Sequence, residues 1–388
     1  MAGATKLRVA FTGGGTGGHI YPALGIDDAI RADFAADAYE PRFFGNEGGL
    51  EADLVTGMPL TFVPSAPLQR KLSFGTLRTI AQNLWGIGVA LVALARFKPL
   101  VVVATGGYVC FPVVVAARML RFVRVIDCGI ALLEINVYSG LTNRLLAPLV
   151  DEVWITYEAS AASFGKKAVL TGAPTRASLR ARALPGLARE RLELDPAAQT
   201  IVAMGGSQGA RSINETIAAL VTRRSIGTER QVLHICGKRD YAYMLAEERT
   251  LAEGNQVRLV PYLDDPADAY GAADIVVARA GASTLAELAI TGTAAILVPF
   301  PFAAEDHQAR NAAYFVERGA AVVIRDADLD PDKLWWTLRD CLEPARLAAM
   351  REAAAALAPP DAGAAIVRRI ELLVPARVVD PARENHVP

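Results

Sequence analysis

The 388-residue chain is poor in the groups on which several kinds of protein depend. Its four cysteines, Cys110, Cys128, Cys236 and Cys341, stand far apart and no two form a CxxC pair. That spacing excludes a disulfide framework or a zinc knuckle and fits a reducing compartment. Four histidines without an HxxxH spacing offer no metal pattern, so no cofactor is expected and a divalent metal is optional at most. The net charge of −1 gives no general attraction to nucleic acid, so anion binding has to be local. The amino-terminal MAGATKLRVAFTGGG holds too few consecutive apolar residues for a secretory segment and reads as cytoplasmic.

What the chain does have is apolar material, 52% of its residues, enough for conventional cores in two or three domains. Short β-branched runs alternate with helical patterns. KLRVAFT precedes a helix expected over Pro22–Phe34, PLVVVATG one over Phe111–Leu120, and EVWITY a short one. After the Pro/Arg-rich GAPTRASLRARALPG the rhythm restarts with TIVAMGG, QVLHICG, VRLVPYL, DIVVARAG and AAILVPF. Continuous apolar strands separated by helices predict an α/β fold with parallel sheets covered on both faces. VAFTGGGTGGH opens one half and VAMGGSQGA the other, which predicts two Rossmann-like domains facing across a cleft, with ligands beyond the carboxyl ends of the strands. The boundaries fall at 1–172 and 173–345. Helices over 346–375 are expected to pack back on the first domain, and 376–388 to form a tail.

Gly75–Phe97 stands apart. Its uninterrupted apolar part is only about a dozen residues, short of the ~20 that span a bilayer, which suits a core helix. Arg70, Lys71 and Arg78 beside Ile80, Leu84 and Trp85 suit instead a patch for an anionic membrane surface.

Glycine-rich turns after strands expose backbone N–H groups at a helix N-terminus, which suits a diphosphate. One such turn also serves as an ordinary tight turn, so GGGTGGH by itself reads equally as a bend with an exposed His19. A second, GGSQGA with the Ser207 hydroxyl, strengthens the nucleotide reading. ARAGASTLAELAITG adds Arg279, a turn at Gly281, and Ser283 and Thr284 opening a helix that carries Glu287. Glu287 suits a capping box with Thr284 or the two hydroxyls of a ribose. In PFPFAAEDHQARNAA, Asp306 reads as a cap and Gln308 as a ligand group; DADLD, 326–330, reads as solvated loop.

GGGTGGHIYPAL, TGGYVCFP, NVYSGLTNRLLA, GGSQGARSIN, YLDD and RAGASTLAELA…ILVPFP…DHQARNA, in order from about residue 8 to about residue 325, together resemble the MurG family. The resemblance implies an inverting GT-B glycosyltransferase with its acceptor and membrane side in the first domain and its donor side in the second. It implies transfer of N-acetylglucosamine from UDP-GlcNAc to the undecaprenyl-diphospho-muramoyl-pentapeptide lipid I, forming lipid II. It also implies peripheral attachment to the cytoplasmic face of the cell membrane.

By position, the resemblance implies that Thr16, Gly17 and Gly18 form the first glycine loop and that Asn136, Arg176 and Ser207 meet the donor. Leu263 lies against uracil. Ala282, Ser283, Thr284, Leu285, Ala286 and Glu287 cradle phosphate and ribose, with Arg279 just before them, and Gln308 meets the sugar. Tyr108 and Asn214 match the pattern with less defined roles. One element departs: the family's His-Glu-Gln-Asn is Leu133-Glu134-Ile135-Asn136 here, and a leucine exchanges no proton.

Sugar transfer needs a base for the acceptor hydroxyl and stabilisation of the departing UDP. In the matching first-domain motifs the ionisable candidates for the base are His19 and Glu134. Imidazole titrates near neutrality, which favours His19. Helix dipoles, amides and Arg176 are expected to meet the diphosphate. Two other readings stay open at this level: another GT-B UDP-sugar enzyme, such as a transferase with a different acceptor or an epimerase, and a non-catalytic UDP-sugar or lipid-binding relative.

Overall fold

The computed structural model describes residues 6–67, 74–181, 183–206, 209–247, 254–358 and 362–375. Arg70, Lys71, Ser207 and the tail from residue 376 lie outside the described residues.

The first unit is built on one parallel sheet of β1 (Leu7–Thr12), β2 (Tyr39–Gly45), β3 (Leu60–Phe62), β4 (Val101–Ala104), β5 (Gly129–Glu134), β6 (Glu152–Ile155) and β7 (Ala168–Leu170). They lie in the order β3-β2-β1-β4-β5-β6-β7. Every residue of β4 and β5 is buried. Such strands show no polar alternation because helices cover both faces. The helices are α1 (Gly17–Asp33), α2 (Glu51–Leu54), α3 (Phe74–Phe97), α4 (Cys110–Phe122) and α5 (Leu141–Leu146). From α3, Ala90, Leu94 and Phe97 join Val113, Val114 and Ala117 of α4 over Val102, Ile130 and Leu132 in one core.

The second unit has a parallel sheet of β8 (Gln199–Met204), β9 (Arg230–Ile235), β10 (Gln256–Val260), β11 (Ile275–Ala278), β12 (Ala294–Leu297) and β13 (Ala321–Val323), in the order β10-β9-β8-β11-β12-β13. Its helices are α6 (Ala177–Arg180), α7 (Pro185–Arg191), α8 (Arg211–Arg223), α9 (Tyr241–Glu247), α10 (Ala267–Ala272), α11 (Ala282–Thr291), α12 (His307–Glu317), α13 (Pro331–Cys341) and α14 (Pro344–Ala356). A last helix, α15 (Ala362–Leu373), belongs to the first unit, where it packs on α1 and β5. In each sheet the chain winds outward from a central strand and then crosses to its other side, between β1 and β4 in one and between β8 and β11 in the other. Those two switch points leave crevices at the carboxyl ends of the strands.

Several expectations change. The division falls after Thr175, not at 172. Of the helices assigned to 346–375, only α15 joins the first unit; α14 stays with the second because Leu347 and Met350 complete that unit's core. The first helix begins at Gly17, ahead of Pro22, which it carries in its interior. The long helix is apolar further than its uninterrupted run: Leu77–Phe97 has mean hydropathy 1.4 and is long enough to cross a bilayer by length and composition. Its Ala90–Leu94–Phe97 side is nevertheless committed to the core of the unit. DADLD is not merely solvated, since Asp330 caps α13 by accepting from the Lys333 amide.

One half-buried anion ties three elements of the second unit together. Asp274, at the foot of β11, accepts from Arg189 of α7 at 2.8 Å, from the Thr200 amide of β8 at 2.7 Å and from Arg351 of α14 at 2.8 Å. Removing the carboxylate takes one acceptor from each donor, while Arg189 and Arg351 keep only backbone carbonyls. Asp274→Ala is expected to lower the stability of this unit by about 2–4 kcal/mol, read from urea unfolding. An unchanged midpoint would show that water takes over the two guanidinium groups.

Candidate functional site

At the switch point of the first sheet, β1 runs out into Gly13–Thr16 and β4 into Thr105–Tyr108. Thr105 holds His19 twice. Its hydroxyl donates to the His19 carbonyl at 2.6 Å, and its own carbonyl lies 3.1 Å from His19 Nδ1. A carbonyl only accepts, so Nδ1 carries the proton and the neutral ring has its lone pair on Nε2. The Thr105 amide in turn donates to the Thr12 carbonyl at 2.8 Å, fastening the two strand ends. Thr16 is the N-cap of α1 without a side-chain cap bond, and Gly17 and Gly18 form its first turn. The Tyr108 ring lies against Gly15, and the Asn46 amide reaches its hydroxyl at 3.4 Å.

Glu134, the other proposed base, is 1% exposed at the end of β5. Its Oε1 accepts from the amide and the side chain of Asn136, both at 3.0 Å; its Oε2 accepts from the Gly140 amide at 3.0 Å and from Asn143 at 2.9 Å. Burial pushes this carboxyl up from its ordinary range while the four donors pull it down. With both oxygens taken, Glu134 folds the 136–143 loop and presents no lone pair to a substrate, which corrects its assignment as a base. Asn136 is part of the same knot. Leu133 and Ile135, the departures in this element, are buried at 0% and 4%. Leu133 lies within the sheet, in register with Trp154; its side chain offers no polar group, and its carbonyl accepts from Asn143 at 3.2 Å.

At the second switch point, β11 leads through Gly281 into α11, whose N-cap supplies no side-chain bond. Its first-turn amides at Ala282, Ser283 and Thr284 are donors without an intrahelical partner, and the Ser283 hydroxyl is buried without a partner among the described residues. Thr284 therefore does not cap the helix. Leu285 and Ala286 face the core, both at 0%. Glu287 Oε2 accepts from the Tyr270 hydroxyl at 2.7 Å. Burial pushes Glu287 up to about 7, against the Tyr270 bond and the nearby Arg176 that favour its charge. Burial likewise raises Tyr270 well above its usual range, with Glu287 adding to it. Arg176 also bonds the Asp264 carbonyl in the loop after β10 that holds the half-buried Leu263. Gln308, in the first turn of α12, accepts from the Phe300 amide at 2.9 Å.

Two expected ligand groups are engaged elsewhere. Asn214 is buried, donating to the Cys236 carbonyl at 2.8 Å and to Asp240 at 3.0 Å and meeting His234 at 3.0 Å. Arg279 pairs with Asp326 and donates to Ser212 at 2.9 Å and to the Val298 carbonyl at 3.1 Å. Asn214 thus ties α8 to the end of β9, and Arg279 ties the end of β11 to α8 and to the end of β12, which corrects their assignment to the binding surface. Asp306 occupies the N-cap of α12 but makes no cap bond. Sequence reasoning missed Thr105 and Tyr270, whose partners lie on other elements and leave no local spacing. It also missed Met119, Phe122, Val123 and Val125, exposed at the end of α4, the helix that packs along α3. On α3, Leu77, Ile80, Leu84 and Trp85 are exposed, Trp85 at 68%.

The glycosyltransferase family 28 N-terminal domain matches residues 9–155 and the family 28 C-terminal domain residues 200–365. A protein of Desulforamulus reducens named UDP-N-acetylglucosamine--N-acetylmuramyl-(pentapeptide) pyrophosphoryl-undecaprenol N-acetylglucosamine transferase is 36% identical over 378 residues, covering 95% of this chain and 99% of its own. Its namesake in Desulfitobacterium hafniense (strain Y51) is 40% identical over 370 residues, covering 92% and 96%. Among solved structures, Acinetobacter baumannii MurG superposes with a TM-score of 0.73 at 24% identity over 94% of this chain and 99% of its own. S. aureus MnaA with UDP gives 0.64 at 14% over 94% and 96%. These two superpositions show a shared fold.

The carboxyl of Glu287 has a measurable signature. Its folded pKa, about 7, lies above the ordinary 4.5. Ionising it therefore opposes folding, and stability falls as pH rises from about 4.5 to about 7. Glu287→Gln, which still accepts from Tyr270, is expected to match the parent at pH 4 and to exceed it by about 2–3 kcal/mol at pH 8. Chemical denaturation at the two pH values reads the difference, and a constant offset would place the carboxyl in its ordinary range.

Proposed function

The chain belongs to glycosyltransferase family 28, and from that premise we propose how its residues divide the work of sugar transfer. The enzyme moves N-acetylglucosamine from UDP-GlcNAc to undecaprenyl-diphospho-muramoyl-pentapeptide, converting lipid I to lipid II. One observation carries the reaction: the 36% to 40% identity runs through nearly the full length of the chain and of its relatives.

On the donor side, Glu287 accepts the ribose hydroxyls with the oxygen that Tyr270 leaves, and the first turn of α11 donates to phosphate through its amides and Ser283. Arg176 and Ser207 meet the diphosphate, Leu263 lies against uracil and Gln308 meets the sugar. What supports this is an uncapped helix start beside a carboxylate and a guanidinium. The charge of the departing UDP is left to these donors, without a resident metal.

On the acceptor side, His19 Nε2 takes the proton from the attacking hydroxyl as its oxygen bonds to the anomeric carbon and the bond from that carbon to the UDP oxygen breaks. The Thr105 carbonyl supports the role because it fixes the tautomer and steadies the imidazolium once formed. Glu134 serves only to position the loop. General-base catalysis contributes ~10²–10⁴-fold, so His19→Ala is expected to lower kcat by that factor with the donor KM nearly unchanged. UDP release from UDP-GlcNAc in the presence of lipid I measures it, and a variant with parent-like kcat would remove His19 from the chemistry.

The enzyme works as a peripheral protein at the cytoplasmic face of the membrane. The exposed row Leu77, Ile80, Leu84 and Trp85 with Arg78 supports insertion into an anionic interface. Trp85→Glu with Arg78→Glu is expected to abolish co-sedimentation with anionic vesicles and to leave UDP affinity intact. Retained sedimentation would put the docking face elsewhere.

A further inference from the structure

Beneath the first glycine loop lies a carboxylate that the mechanism above does not use. Glu51, the first residue of α2, is buried at 0%. Its Oε1 accepts from the Gly15 amide at 3.3 Å, and its Oε2 has no hydrogen-bond partner among the described residues. The backbone on either side has been cleared for it: a methyl group at Gly14 would overlap Oε1, and one at Gly49 would overlap Oε2. A buried carboxylate with one oxygen unmatched costs stability, and a chain that merely needed to fill this space would do better with an apolar side chain.

The position explains its retention. Gly15 is followed by Thr16, whose carbonyl accepts from the His19 amide at 3.1 Å, and Gly14 donates to the Gly106 carbonyl at 3.3 Å. Anchoring the Gly15 amide therefore sets the path of the loop from which His19 is hung. The same amide is one that a bound phosphate would use, and here the anion is supplied from within.

We propose that Glu51 is a positioning residue of the transfer reaction, an internal anion that shapes the Gly13–Thr16 loop and through it aims the His19 imidazole at the acceptor hydroxyl. The proposal rests on the reading of His19 as base, and a double-mutant cycle separates the two. Misplacement of a catalytic group by about an ångström costs on the order of a hundredfold. Glu51→Gln is accordingly expected to lower kcat by about tenfold to a hundredfold with the donor KM and UDP affinity unchanged. In the His19→Ala background the same substitution should cost less than about threefold, since it acts through the missing ring. Parent-like kcat in Glu51→Gln, or an equal loss in both backgrounds, would overturn the proposal. If His19→Ala alone keeps full kcat, the base reading fails by itself, and an undiminished Glu51 effect in that background overturns this one too. Should Glu51→Gln not fold, Gly49→Ala, whose methyl presses on Oε2 without removing the carboxylate, carries the same cycle.

Discussion

The first unit's chemistry depends on one junction, the seam where β1 and β4 lie side by side although their connections leave in opposite directions. Thr105 closes that seam. Its amide takes the Thr12 carbonyl, its hydroxyl takes the His19 carbonyl, and its own carbonyl takes the imidazole. One residue thereby fixes strand against strand, the start of α1 against both, and the tautomer of the ring. The parallel sheet makes this possible, because only at a switch point do two loops diverge and leave polar backbone facing a crevice.

The polar groups nearby divide by whether their bonds are complete. Glu134 and Asn214 have their acceptors and donors filled by the protein, Arg279 is held by Asp326, Ser212 and the Val298 carbonyl, and all three act as struts. Glu287, Ser283 and the first amides of α11 retain capacity and sit at the second switch point. Identical side-chain chemistry thus has opposite consequences: a saturated group rigidifies, and an unsaturated one waits for a ligand. Glu51 lies between these cases, with one oxygen of each kind.

Much of this was legible from the order of residues. The apolar strands KLRVAFT, PLVVVATG and DIVVARAG stand where they were expected, because a strand buried on both faces has to be apolar throughout. The glycine turns and the Gly281 start of α11 were legible for the same local reason. Short strands such as YEPRFFG and AVL were not, since charged or few residues hide a period of two. The misreadings at the site share one cause. Asn214, Arg279 and Glu134 carry the residue types that ligands require, and nothing local reveals that His234, Asp326 or Asn143 has already claimed them. Tyr270 escaped notice for the converse reason, being a core aromatic by every local sign. The fate of α14 turned on where Leu347 and Met350 find a core, which no spacing states.

The return of α15 to the first unit has a temporal consequence. Its Arg369 pairs with Glu152, and its Leu373 abuts Gly129, residues made more than two hundred positions earlier. A nascent chain therefore emerges with β5 and α1 lacking one of their covers while the whole second unit is synthesised. The second unit, continuous from Arg176 through α14, has all its own strands and core before that cover arrives. Synthesis is thus a built-in delay: the half that carries His19 and the exposed apolar row is completed last, although its first strand is made first.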